Sequence, residues 1–231
     1  MTEIHLFSGG AAQGLVTKLE TSFTQKTGCS IKGNFGAVGL MKDRLLKGDR
    51  CDVLILSQKL IDELIASGHV KADSARPLGI VQTGIAVKDG AVIPVVSDRD
   101  SLKSSLESAS EIYFPDPNKA TAGIHFMSVL RALGIDASVA DKLRPFPNGA
   151  TAMREMAHAS ESNVIGCTQV SEIIFTPGVQ LVAPLPPEFA LATTYTAAIS
   201  TQASEPALAA RLIAHLVNPE ARETRRAAGL E

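Results

Sequence analysis

The four residues Val53-Leu54-Ile55-Leu56 are uninterrupted apolar side chains, the pattern of a strand covered on both faces rather than one that alternates between core and water. Such a strand needs helices above and below its sheet. The chain supplies them at once. Ile4 to Phe7 reads as a strand, Ala12, Leu15, Val16, Leu19 and Phe23 fall on one helical face, Ile31 to Phe35 reads as a second strand, and Val38 to Leu46 as a second helix. After the apolar run, Ser57 sits where an N-cap would, before a helix that turns Leu60, Ile61, Leu64 and Ile65 inward and stops at Gly68. Three strand-helix units within about 70 residues imply a parallel sheet with right-handed crossovers.

Beyond Pro77 the pattern changes to a long extended stretch, Gly79 to Val87, and a new series begins. It comprises a helix near Ser101 to Leu106, a strand at Ile112 to Phe114, a helix from Ala122 to Leu133, a helix after Asn148, and strands at Val164 to Thr168 and Val179 to Val182. A second extended stretch, Leu191 to Thr201, precedes two helices, Pro206 to Leu216 and Pro219 to Ala228, each opening with the proline that suits a first turn. The two extended stretches frame the middle of the chain. They predict a lobe built from both chain ends, 1–81 with 196–231, a lobe built from the middle, 82–195, and a paired hinge near 80–85 and 192–197.

At 231 residues the chain can bury a substantial core, and 45% hydrophobic with 20% charged residues excludes disorder as the main state. The 22 basic and 24 acidic side chains nearly cancel, and like charges cluster only between Arg222 and Arg226. Nucleic acid is excluded as a partner on this ground, since its binding needs massed Lys and Arg. Aromatic residues are 4% of the chain and Trp is absent, so platforms for stacking are scarce. A small, polar ligand is expected. Cys29, Cys51 and Cys167 form no CxxC and read as inert buried thiols, while His5, His69, His125, His158 and His215 have no metal-ligand spacing. No metal and no cofactor are expected. No apolar run reaches membrane-span length, and the N-terminus lacks the regions of a signal peptide. The expectation is cytoplasmic as written, or periplasmic if a leader was removed.

Five loops could hold a ligand. Ser8-Gly9-Gly10 lies where the first strand meets the first helix, and small residues there let backbone N–H groups face an anion at the helix start. Phe35-Gly36-Ala37-Val38-Gly39 is a similar junction, as are Asp116 to Gly123 and Asn148-Gly149-Ala150-Thr151; Gly166-Cys167-Thr168-Gln169 is the polar end of a strand. All five are of the kind found at the carboxyl ends of strands, where open α/β sheets bind ligands. The glycine spacing is not G-x-G-x-x-G and no Walker motif occurs, which disfavours NAD and ATP. His125 would lie in the first turn of its helix, where it could act as a general base or serve only as a helix residue. Tyr195, Arg44 and Arg144 read more simply as hinge packing and solvated charges than as ligand contacts.

The order of these loops resembles the molybdate-type periplasmic binding proteins, as do Phe23 to Gly28, Gly48 to Leu56 with its Asp52, Ala122-Gly123-Ile124 and the ending Ala228 to Leu230. The resemblance spans nearly the whole chain. It implies an α/β, two-lobed type II periplasmic-binding-protein-like fold, each lobe a mainly parallel sheet flanked by helices, closing on a small anion. It also implies an ABC-transporter permease as protein partner, and a monomer. Members that bind molybdate use hydroxyls on the first two loops and a late Tyr, and the matching positions here are Ala11, Ala37 or Val38, and Gln169. The remaining donors are N–H groups at Gly9, Gly10, Ala37, Val38, Ala122 and Gly123, with side chains of Ser8, Thr121, Asn148, Thr168 and Gln169. This set suits an elongated carboxylate at least as well as a tetrahedral ion. Similar proteins include isomerases of unsaturated tricarboxylates such as aconitate, so a cofactor-independent isomerase with His125 or Asp116 as base is the alternative, and a cytosolic anion sensor a third.

Overall fold

The computed structural model describes residues 2–231; Met1, where the first lobe is expected to begin, lies outside them. The chain divides into two compact units. One runs to Val81 and resumes from Thr193 to Glu231, the other is Gln82–Ala192.

In the first unit β1 (Glu3–Gly9), α1 (Gln13–Thr27), β2 (Ser30–Gly36), α2 (Val38–Leu46), β3 (Val53–Ser57) and α3 (Gln58–Ala66) alternate as the apolar spacing predicts. All five residues of β3 are buried, as a doubly covered strand requires. β1 lies between β2 and β3 and parallel to both, with Gly9 opposite Gly36 and Ser8 opposite Ile55. The carboxyl ends of β1, β2 and β3 therefore share one sheet edge. From the far end of the chain, β9 (Ala192–Ile199) joins β3 antiparallel and sets Tyr195 opposite Ser57 at that edge. Helices α8 (Pro206–Val217) and α9 (Arg222–Ala227) complete the unit. Leu6, Phe7, Leu15, Leu54, Leu56, Ile61, Leu64 and Leu212 form its core, each such side chain contributing about 1.5–3 kcal/mol by leaving water.

The long strand β4 (Arg76–Lys88) leads from the first unit into the second. There follow α4 (Arg99–Ser108), β5 (Glu111–Pro115), α5 (Thr121–Leu133), β6 (Leu143–Phe146), α6 (Gly149–Ala157), β7 (Val164–Gln169), α7 (Val170–Phe175) and β8 (Val179–Pro184). β5 is parallel to both β6 and β7. β4 runs antiparallel to β7, with Thr83 opposite Gln169, and carries β8 on its other side. Leu102, Leu106, Ile112, Phe114, Phe126 and Leu130 pack one face, and Met153, Met156 and Ile173 the other.

Three details differ from the sequence expectation. β6 is a four-residue, half-exposed strand and α7 has six residues, both too short to show a period. The single helix expected from Pro219 to Ala228 is a 3-10 turn, Pro219–Ala221, followed by α9. Ser57 stands at the N-cap position of α3, but its side chain makes no capping bond.

Candidate functional site

Helix starts matter here because the first N–H groups of an α-helix have no acceptor inside it and carry partial positive charge. In the first unit two such starts stand side by side. β1 turns through the 3-10 segment Gly10–Ala12 into α1, and β2 turns at Ala37 into α2, from neighbouring strands that end in register. Ser8 is fully buried and its hydroxyl donates to the carbonyl of Gly9 at 2.9 Å. What this edge offers an anion is therefore chiefly backbone N–H, from Gly9 and Gly10 to Ala37 and Val38. Sequence reasoning passed over Ser57 as a site residue; it is buried at the end of β3 opposite Tyr195, on the same edge.

In the second unit the start of α5 presents Thr121, Ala122 and Gly123. A methyl group at Gly123 would lie 2.2 Å from the carbonyl oxygen of Pro115, so glycine is what lets the helix begin directly against the end of β5. The carboxylate of Asp116 accepts from the N–H of Asn118 at 2.7 Å and of Lys119 at 3.1 Å, which holds the preceding turn. At the end of β7, Gln169 is 2% exposed, and neither its amide nitrogen nor its amide oxygen has a partner within the chain. The hydroxyls of Thr83, opposite it across the ladder, and of Ser171 are also buried and unpartnered. Orphaned buried polar atoms are costly and rare, and a concentration of them within one unit points to a missing ligand or water.

The start of α6 differs. The Asn148 side chain caps the helix by accepting from the N–H of Thr151 at 2.8 Å. The carboxylate of Glu172 lies against this helix start, packed on the backbone of Gly149. The hydroxyl of Thr168 donates to Glu172 Oε2 at 2.5 Å. The Asn148 side-chain oxygen and the Thr168 hydroxyl proton, two groups expected to meet a ligand, are thus engaged within the chain. Glu172 escaped the sequence reading altogether. Burial pushes its pKa up, and the bonds it accepts pull the other way without prevailing. A methyl group on Gly149 would lie 2.0 Å from both Glu172 Oε2 and Thr168 Oγ1, so this glycine makes room for the carboxylate.

His125 Nε2 lies 2.8 Å from the carbonyl oxygen of Phe189, to which it donates, leaving Nδ1 as the ring's basic atom. Arg44 stacks on Phe7 with its guanidinium carbon 4.3 Å from the ring centre and pairs with Asp49 at 2.8 Å; Arg144 pairs with Glu111 at 2.9 Å. All three cysteines are free and buried, and burial holds the Cys51 thiol up at about 12. Among the described residues no group of His, Cys, Asp and Glu could hold a metal ion, and no helix is long and apolar enough to cross a membrane.

These helix starts at strand ends agree with a comparison of the whole chain: residues 4–231 match the bacterial extracellular solute-binding protein family. The chain belongs to that family. Among curated proteins, an aconitate isomerase from a Pseudomonas species is 27% identical over 242 residues, which cover 100% of this chain and 88% of that protein. Among solved structures, the periplasmic molybdate-binding protein of Azotobacter vinelandii superposes with a TM-score of 0.81 at 17% identity, covering 99% of this chain and 98% of that one. The sulfate-binding protein SubI of Mycobacterium tuberculosis superposes with a TM-score of 0.77 at 18% identity, covering 100% and 86%. At such identities the structures establish a shared periplasmic-binding-protein fold.

Proposed function

We propose that this solute-binding protein takes a small organic anion, a carboxylate in preference to a tetrahedral oxyanion, with Gln169 and the start of α5 as the donors of the second unit; the starts of α1 and α2 are the donors that the first unit offers. The observation that carries the reading is the Gln169 amide, buried with both of its polar atoms unpartnered, in a chain whose parallel strands lead into helix starts that no side chain caps. Ser8 shapes the first turn, Thr121 contributes a hydroxyl at α5, and Asn148 and Thr168 support the site through α6 and Glu172. The relatives titled as molybdate- and sulfate-binding proteins support an anion as the ligand class. A periplasmic location, a monomeric state, an ABC-transporter permease as partner and a hinge at 80–85 and 192–197 complete the reading.

Thermal melts with molybdate, sulfate and a panel of di- and tricarboxylates test it. A bound ligand raises the melting temperature by mass action. At least one carboxylate is expected to do so, and Gln169→Ala to abolish the rise; no response to any anion overturns the reading.

A second reading is favoured by one observation, the full-length relationship to an aconitate isomerase. An allylic proton shift needs one base and a carboxylate clamp, with no cofactor. His125 would be that base, through Nδ1. Ultraviolet absorbance of cis- and trans-aconitate at catalytic protein concentration decides it: interconversion that His125→Ala removes supports the isomerase, and unchanged spectra overturn it.

A further inference from the structure

Two buried polar side chains of the second unit stand side by side without partners. β4 and β7 are antiparallel with Thr83 opposite Gln169, and side chains directly opposite in such a ladder share one face with their Cβ atoms about 5 Å apart. Thr83 is 1% and Gln169 2% exposed, yet the hydroxyl of the one and both polar amide atoms of the other have no partner within the chain. Alternation along the strands puts them on the face that carries Ile85 and Cys167, which packs against Phe126 and Leu130 of α5. β5 and β7 are parallel, so α5 begins at the sheet edge where β7 ends in Gln169. The pair is thus the polar end of an otherwise apolar face, at the same edge as a helix start that no side chain caps. Thr83 also lines a cavity of about 260 Å³, with Gln82, Leu185 and Leu191 among its walls.

The unmet groups define what would satisfy them. The amide nitrogen offers two protons and the hydroxyl one, and a carboxylate accepts them. The amide oxygen can only accept, so the occupant must also give a proton. Sulfate and molybdate, fully ionised, have none to give. A hydroxyl beside the carboxylate gives one without adding charge. An ammonium would give one as well, but it would meet only neutral groups and the positive end of α5.

We propose that Thr83 is a ligand-binding residue, and that its hydroxyl and the Gln169 amide together select a carboxylate that carries a hydroxyl group. The inference rests on the anion-binding reading above and adds to it a second contact and a narrower ligand class.

Titration calorimetry with malate, succinate and aspartate, which bear a hydroxyl, a hydrogen or an ammonium at one carbon, tests it on the whole chain. The wild type is expected to bind malate about tenfold more tightly than either of the others, the scale of one good hydrogen bond. Thr83→Val, of nearly the same shape, is expected to weaken malate binding by about tenfold and, without ligand, to melt no lower than the wild type, because the hydroxyl it removes has no partner to lose. Thr83→Ser keeps the hydroxyl and is expected to bind malate within about threefold of the wild type. Unchanged malate affinity in Thr83→Val, with binding still lost in Gln169→Ala, overturns this inference and leaves the anion-binding reading standing. So does a Thr83→Ser as weak as Thr83→Val, or a wild type without a preference for malate. A ligand-free Thr83→Val that melts several degrees lower does the same, since the hydroxyl would then be holding an internal water. No response to any anion overturns both.

Discussion

Among the described residues each unit buries one carboxylate, Asp52 in the first and Glu172 in the second, and the two behave in opposite ways. Asp52, just ahead of β3, is fully buried and accepts from the N–H of His5 at 2.9 Å, from both the N–H and the hydroxyl of Ser204 at 2.7 and 2.9 Å, and from the N–H of Glu205 at 3.3 Å. Burial pushes its pKa up, but these bonds together hold it below the ordinary carboxylate range. The Glu172 carboxylate also accepts, from the Thr168 hydroxyl, yet for it burial prevails and the pKa is raised. Asp52 ties β1, 47 residues before it, to the entry of α8, 152 residues after it, and is a structural anchor. Glu172 lies against Gly149 at the start of α6 and accepts from the Thr168 hydroxyl. A buried acid whose bonds win holds a fold together; one whose burial wins costs stability, and its presence asks for a functional reason.

The largest effect that would break this contrast is expected at Asp52. Asp52→Ala leaves three backbone donors and one hydroxyl without their buried acceptor, and should cost about 4 kcal/mol in denaturant unfolding. If the loss is under about 1 kcal/mol, the anchor role is wrong. Gly149→Ala comes next. Its methyl group would overlap Glu172 and Thr168, so the carboxylate must leave its seat or α6 must shift, at about 2–3 kcal/mol. A tolerated alanine there would mean that the seat is not close-fitting.

The strand-helix alternation of the first 70 residues was legible because each apolar period is long enough to repeat, and the both-face cover of β3 was written in four consecutive side chains. β6 and α7 were not, being shorter than any period. The loops at strand ends were legible through their small residues, and Gln169 through its position at a polar strand end. What stayed hidden was occupancy. Nothing in Asn148-Gly149 says whether the helix start is free or filled, and Glu172 within Val170 to Phe175 looks like any acidic residue of a first turn. Only the fold supplies the signal: Gly149 adopts no left-handed backbone angle, and its lack of a side chain makes room for Glu172 and Thr168. Likewise the engagement of His125 with Phe189 joins residues 64 positions apart, which no local pattern encodes.

Acid titration sharpens the contrast further, with opposite signs. Asp52 has a folded pKa below its ordinary value of 3.8, so the unfolded chain takes up the proton first as pH falls. Its contribution is present above that value and is lost as pH drops through the folded pKa. Asp52→Asn should therefore flatten the decline of melting temperature with pH below about 4. Glu172 has a folded pKa above its ordinary value of 4.5, so the native state holds the proton longer. Stability is lost as pH rises from that value through the folded pKa.

The smallest expected effect is the most discriminating. Glu172→Gln keeps the shape of the side chain and one acceptor while removing the charge, so near pH 4, where the wild-type acid is largely protonated, the two proteins should melt within about 1 kcal/mol of each other. As pH rises the wild type takes on the cost of a buried charge and the variant does not. The difference should move in favour of the variant, by an amount bounded by the hydrogen bonding that a carboxylate accepts, from Thr168 foremost, and an amide accepts only in part. A variant that instead loses ground steadily with rising pH would mean that those bonds outweigh burial. Glu172 would then be an anchor of the same kind as Asp52.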